Sequence, residues 1–143
     1  MKHIIFSFCL FAAASAAYAS SPKKKPSVIP TSKVMTHDPV MAKQGDTYYL
    51  FATGHGISVM SSKDLKNWKF EKPVFEKAPQ WAVETVKGYN GHTWAPDIIF
   101  YNGLYHLFYS CSAFGKNTSA IGHATNPTLD PSSLISNGQT MGR

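Results

Sequence analysis

The sequence predicts an all-β fold made of successive β-propeller blades, and three observations carry that expectation. A strand unit recurs at about sixty residues, an interval that suits a four-stranded repeat. Each copy of its aromatic strand follows a turn dipeptide, Gly45-Asp46 in the first and Asn102-Gly103 in the second. Beyond the leader, no apolar pattern at helical spacing is convincing.

The leader, residues 1–19, stands outside this fold. Met1-Lys2 is a short basic start, Ile4 to Ala17 is apolar or small without charge, and Ala17-Tyr18-Ala19 is the small-x-small pattern a signal peptidase accepts. This reads as a secretory signal peptide cleaved after Ala19, so the protein is expected to be secreted. The run is too short to span a bilayer, and no later segment is long enough. Cys9 leaves with the signal. Cys111 is then alone, and the exported domain must be held by its core rather than by an internal disulfide. Residues 20–33, rich in Pro, Lys and Ser, read as a linker.

Strand signals dominate residues 34–143. Thr47 to Thr53 (TYYLFAT) and Leu104 to Ser110 (LYHLFYS) have the aromatic and β-branched content that suits a pleated sheet. Aligning them sets Asp38-Pro39 opposite Ala95-Pro96, and Leu50-Phe51 opposite Leu107-Phe108. Further on, ISVMSSKDL from Ile57 resembles IGHATNPTL from Ile121, and Trp68 to Phe75 supplies a fourth strand to the first unit. One small twisted sheet cannot cover both of its faces, so blades stack face to face around an axis. A propeller takes ~4–8 blades and this chain offers about two, so it is expected to be the front part of a longer protein. The rival reading is a small two-sheet sandwich.

Composition narrows the partners. With 13% aromatic and only 15% charged residues, the chain is neither disordered nor a coiled coil. Its formal charge of +6 would suit nucleic acid, but the only tight basic run is Lys23-Lys24-Lys25 in the linker. The other lysines are scattered among aromatic and turn residues. Neither a nucleic-acid nor a membrane partner is expected.

Chemistry should gather where the innermost strands begin, at His37-Asp38-Pro39 and Trp94-Ala95-Pro96-Asp97. Asp46, Asp64 and Asp130 sit in turns. Glu71 and Glu76 alternate with apolar residues and should face water, and Glu84 falls in an irregular link. Asp38 and Asp97 are left as candidates for chemistry, or as aspartates that cap a turn beside proline. His37, His55, His92, His106 and His123 fit no short ligand motif and no cysteine pair accompanies them, so no metal site is read in this chain. His106, within an aromatic strand, reads as a packed neutral histidine. Neither a G-x-S-x-G elbow nor a phosphate-cradling loop is present.

Taken in order, Thr36 to Val40, Tyr48 to Phe51, Ser61 to Trp68 and Trp94 to Ile98 resemble glycoside hydrolase family 43. Ser112 to Gly122 (SAFGKNTSAIG) is similar to the arabinan endo-1,5-α-L-arabinanases of that family. The resemblance implies a five-bladed β-propeller that hydrolyses with inversion. It makes Asp38 the general base, and places the general acid and a pKa-tuning aspartate in later blades, outside this chain. It also implies that Trp94 lines the central pocket, that Phe114 is a platform along the cleft, and that Gly115 lets backbone approach the sugar. Asp97 would be a supporting residue behind the site. Without the family match, Trp94 and Phe114 read first as ordinary packing between blades.

The expected substrate is arabinan or an arabino-oligosaccharide. No cofactor is expected in this chain, a calcium-like metal ion near the propeller axis is expected in the complete enzyme, and that enzyme is expected to be a monomer. The chain alone should be inactive and prone to aggregate. Two alternatives stay open: an exo-acting arabinofuranosidase or β-xylosidase of the same family, and a non-catalytic carbohydrate-binding propeller.

Overall fold

The computed structural model describes residues 27–133. The signal peptide expected over 1–19, with Cys9, and the lysine run lie outside these residues. Nine strands and one short α-helix are formed: β1 (Val28–Pro30), β2 (Val40–Gln44), β3 (Thr47–Ala52), β4 (Gly54–His55), β5 (Ser58–Ser62), β6 (Asn67–Phe70), α1 (Gln80–Thr85), β7 (His92–Tyr101), β8 (Leu104–Ser112) and β9 (Ser119–Asn126). They make two antiparallel sheets, ordered β1-β6-β5-β3-β2 and β4-β7-β8-β9.

The aromatic strands form as their alternation requires. In β3, Tyr49 and Phe51 point into the core; in β8, Leu107, Tyr109 and Cys111 do so at the same period of two. Both follow tight turns, with Gly45 at φ 60° and Asn102-Gly103 at 49° and 79°. The core lies between the two sheets. Tyr49, Phe51 and Val59 come from the first, Leu107, Tyr109, Cys111 and Ala124 from the second, Ile57 from the link before β5, and Ala82, Val86 and Tyr89 from the connection.

Five expectations need correction. The linker boundary moves, because Ile29 of β1 pairs with Trp68 of β6. Thr31 then ties the segment down, donating to the Leu65 carbonyl at 2.5 Å and accepting from Trp68 Nε1 at 3.0 Å. The fourth strand stops at Phe70 rather than Phe75, and Pro73 beyond it has no N–H for a ladder. A helix does form. Glu84 lies in α1, whose six residues are too short to hold alone and are fixed by burial of Ala82. Glu71 does not face water: past the end of β6 its carboxylate turns back over β5, accepting from Ser61 Oγ at 2.7 Å and Lys69 Nζ at 2.8 Å. Finally, Gly54-His55 leaves the first unit and pairs with Thr93 and His92 of β7. No sequence pattern signals that crossing, since it spans only two residues.

The turn between β5 and β6 carries a prediction. Asp64 Oδ1 accepts the amides of Lys66 (2.9 Å) and Asn67 (2.8 Å), and Oδ2 accepts Asn67 Nδ2 (2.8 Å). These bonds hold the Asp64 carboxyl well below the usual carboxylate range, the Asn67 side chain contributing most. A depressed folded-state pKa stabilises the fold above the unfolded value, about 3.9, and that contribution is lost as pH falls toward the folded value. Asp64→Ala is therefore expected to melt lower than wild type at neutral pH, with the gap closing below about pH 4. Thermal unfolding of both proteins across pH 2–7 checks this; a gap that stays constant contradicts it.

Candidate active site

Asp38 stands two residues before β2, where the chain turns into an edge strand of the first sheet. Its backbone takes φ 49°, and Ala95, its partner in the repeat alignment, takes φ 45°. Both precede proline and neither is glycine, so both hold a conformation that neighbours must enforce. In the second sheet this is where the β7–β8 register shifts, between Trp94 and Asp97. The bulge swings the start of β7 out of simple alternation.

One side chain joins the two positions. Thr53, just after β3, donates from Oγ1 to Asp38 Oδ2 at 2.9 Å and accepts the Ala95 amide at 2.9 Å. Its own amide donates to the His37 carbonyl at 3.0 Å. His37 Nδ1 also reaches Asp38 Oδ2, at 2.6 Å. The Thr53 hydroxyl first, and then the His37 ring, hold the Asp38 carboxyl below its ordinary range, so it stays an exposed carboxylate over the mildly acidic range. That is the state a general base needs.

Beside Ala95 begins an aromatic group. Trp94 and Phe114 meet edge to face at 4.7 Å between centroids, and His92 closes the trio at 4.5 Å to Trp94 and 5.2 Å to Phe114. Trp94 is half-buried and Phe114 is 64% exposed. Within this chain the ring's outer face is uncovered, and such a face suits the C–H surface of a sugar. Phe114 and Gly115 form the tip of a turn closed by the Lys116 amide on the Ala113 carbonyl at 3.3 Å. Gly115 sits at φ 68°, and a methyl group added there would meet no protein atom within 4 Å. Glycine is thus required there by conformation, and the open side leaves room for a ligand.

The structure therefore brings Trp94, Phe114 and Gly115 into one corner. Thr53 ties Asp38 to the strand start that carries Trp94. Asp97 is not drawn in: exposed within β7, its carboxylate accepts its neighbour Ile98's amide at 2.9 Å. His106 and His123 pair elsewhere, 3.0 Å apart on β8 and β9. Among the described residues, no three His, Cys, Asp or Glu side chains converge to hold a metal, so the residues present do not fit a metal centre. Thr53 is not singled out by the sequence, and His92 is weighed there only as a metal ligand. A threonine ending an aromatic strand and a histidine two residues before a tryptophan carry no distinguishing signal.

Comparison with known proteins bears on the family and the fold. Residues 28–133 match the family described as Glycosyl hydrolases family 43. An extracellular exo-α-(1→5)-L-arabinofuranosidase of Cellvibrio japonicus is 54% identical over 101 residues, covering 71% of this chain and 29% of the relative. An extracellular endo-α-(1→5)-L-arabinanase of Bacillus subtilis is 43% identical over 102 residues, covering 68% of this chain and 32% of the relative. The solved structure of Cellvibrio cellulosa α-L-arabinanase complexed with arabinohexaose superposes with a TM-score of 0.70 at 50% identity, covering 76% of this chain and 35% of that one. The chain thus spans about a third of the length of these relatives, and its two sheets are blades of an all-β five-bladed propeller, not a sandwich. The chain belongs to Glycosyl hydrolases family 43.

Proposed function

We propose that the full-length protein is a secreted glycosidase that cuts internal α-1,5-L-arabinofuranosidic bonds of arabinan with inversion, with Asp38 as general base. The observation that carries this reading is the exposed, ionised carboxylate of Asp38, held through one oxygen and joined through Thr53 to the aromatic corner of the second blade. Asp38 takes a proton from water as the water oxygen bonds to the anomeric carbon. A carboxylic acid in a later blade protonates the leaving sugar oxygen as the glycosidic bond breaks. Room for that water sets the two carboxyls ~6.5–9.5 Å apart. Trp94 and Phe114 receive the sugar faces, and the Gly115 backbone lies open beside them. Export is supported by the leader of residues 1–19 and by the two relatives named extracellular.

A second reading, exo-action, is favoured by one observation: the Cellvibrio japonicus relative at 54% identity is named an exo-arabinofuranosidase. Products from debranched arabinan separate the readings. The full-length enzyme is expected to release mixed oligomers early, with the new reducing end first seen by proton NMR in the inverted configuration. Monomer alone means exo-action, and binding without product means a carbohydrate-binding propeller.

A further inference from the structure

The Asp38 carboxylate is held lopsidedly. Oδ2 takes both of its hydrogen bonds, from Thr53 Oγ1 at 2.9 Å and His37 Nδ1 at 2.6 Å, and Oδ1 takes none among the described residues. The Thr53 hydroxyl has a single proton, and its direction is fixed. Because Oγ1 already accepts the Ala95 amide at 2.9 Å, a lone pair points at β7 and the proton is left for Asp38. The Thr53 amide, bonded to the His37 carbonyl, pins the same loop from its other side. These bonds also lie at the two left-handed residues, Asp38 and Ala95, whose backbones need outside support.

We propose that Thr53 is the positioning residue for the base: it couples Asp38 to the bulge of the second blade and leaves Oδ1 as the oxygen that takes the proton from water. This inference rests on Asp38 being the base. The proton leaves water for Oδ1, the water oxygen bonds to the anomeric carbon, and the leaving sugar oxygen is protonated by the carboxylic acid of the complete enzyme. Thr53 donates throughout and changes no bond.

The ionisable side chains on the elements around Asp38 are His37 beside it, Lys43 on β2, Tyr48 and Tyr49 on β3, His55 on β4, and His92, Asp97 and Tyr101 on β7. Only His37 is hydrogen-bonded to the carboxylate. Replacing Thr53 removes none of these groups and adds no charge, so the pH profile is read for the lost hydroxyl, with Thr53→Ser as the control.

The test uses the full-length enzyme on arabinan. Thr53→Val keeps the shape and removes the donor. Its kcat is expected to fall about 10–100-fold, the range that corresponds to one hydrogen bond to a charged group, with KM little changed. The acid limb of kcat/KM should move to higher pH, because the donor that favours the ionised carboxylate is gone. Thr53→Ser, which restores the hydroxyl, should recover both readings. If Val disrupts folding, Thr53→Ala gives the same measurements without added bulk. Unmoved acid limbs in Val and Ala would overturn the proposal, as would equal impairment of Ser and Val. Failure of both Val and Ala to fold would do the same, since the hydroxyl would then serve the joint between blades. Asp38→Ala, measured in parallel, keeps the two questions apart: if it retains turnover the base assignment falls, whereas if it is inactive and the Thr53 variants are normal only the positioning role falls.

Discussion

Replacing Asp38 by alanine in the full-length enzyme is expected to lower kcat on arabinan by about 10²–10⁴-fold, the usual contribution of a positioned proton acceptor. Binding should survive, because Trp94, Phe114 and Gly115 lie on the other sheet and Asp38 supplies them no packing. Asp38→Asn should be nearly as slow: it keeps the shape but cannot take the proton. Azide gives a sharper version of the test. As an anion it attacks carbon without first losing a proton, so it should restore sugar release to Asp38→Ala and leave a glycosyl azide of inverted configuration. It should not speed the wild type. The measurements are kcat and KM by reducing-end assay, arabinan affinity by calorimetry, and product configuration by NMR. Near-normal kcat in Asp38→Ala would remove Asp38 from the mechanism.

The repeat was legible because it is written in local chemistry. Alternating aromatics in β3 and β8 and the turn dipeptides before them need no tertiary knowledge. The alignment of Asp38 with Ala95 was equally readable, and the matching left-handed backbones, φ 49° and 45°, give it a physical meaning the letters lacked. What was hidden depends on contact between sheets. Helix α1 is held by the burial of Ala82, not by its own propensity. Strand β4 exists only because β7 offers an edge to Gly54-His55. Thr53 acquires its role from an amide 42 positions away. The candidate site shows the same division: Asp38, Trp94, Phe114 and Gly115 could be named as candidates through the family resemblance, but the bond network between the sheets could not.

Replacing Gly122 should strain this fold directly, and the reason lies across the ladder in Tyr109, with which it pairs. A methyl group on Gly122 would lie 2.3 Å from Cζ of Tyr109 and 2.4 Å from Cε2. The ring has little freedom to move: it is 1% exposed and packs against Phe75 at 4.9 Å and Trp81 at 6.4 Å between centroids. Gly122→Val should therefore overpack the core and destabilise the protein by about 1–3 kcal/mol or somewhat more. Tyr109→Ala removes a large buried ring and should cost about 3–5 kcal/mol, in the range of other buried aromatics. The decisive result is the double variant. With the ring gone, valine at 122 has space, so the pair should be less destabilised than the sum of the singles by about 0.5–3 kcal/mol. Denaturant unfolding of the four full-length proteins measures that coupling. Strict additivity would mean that the Tyr109 ring has no part in the requirement for glycine at 122.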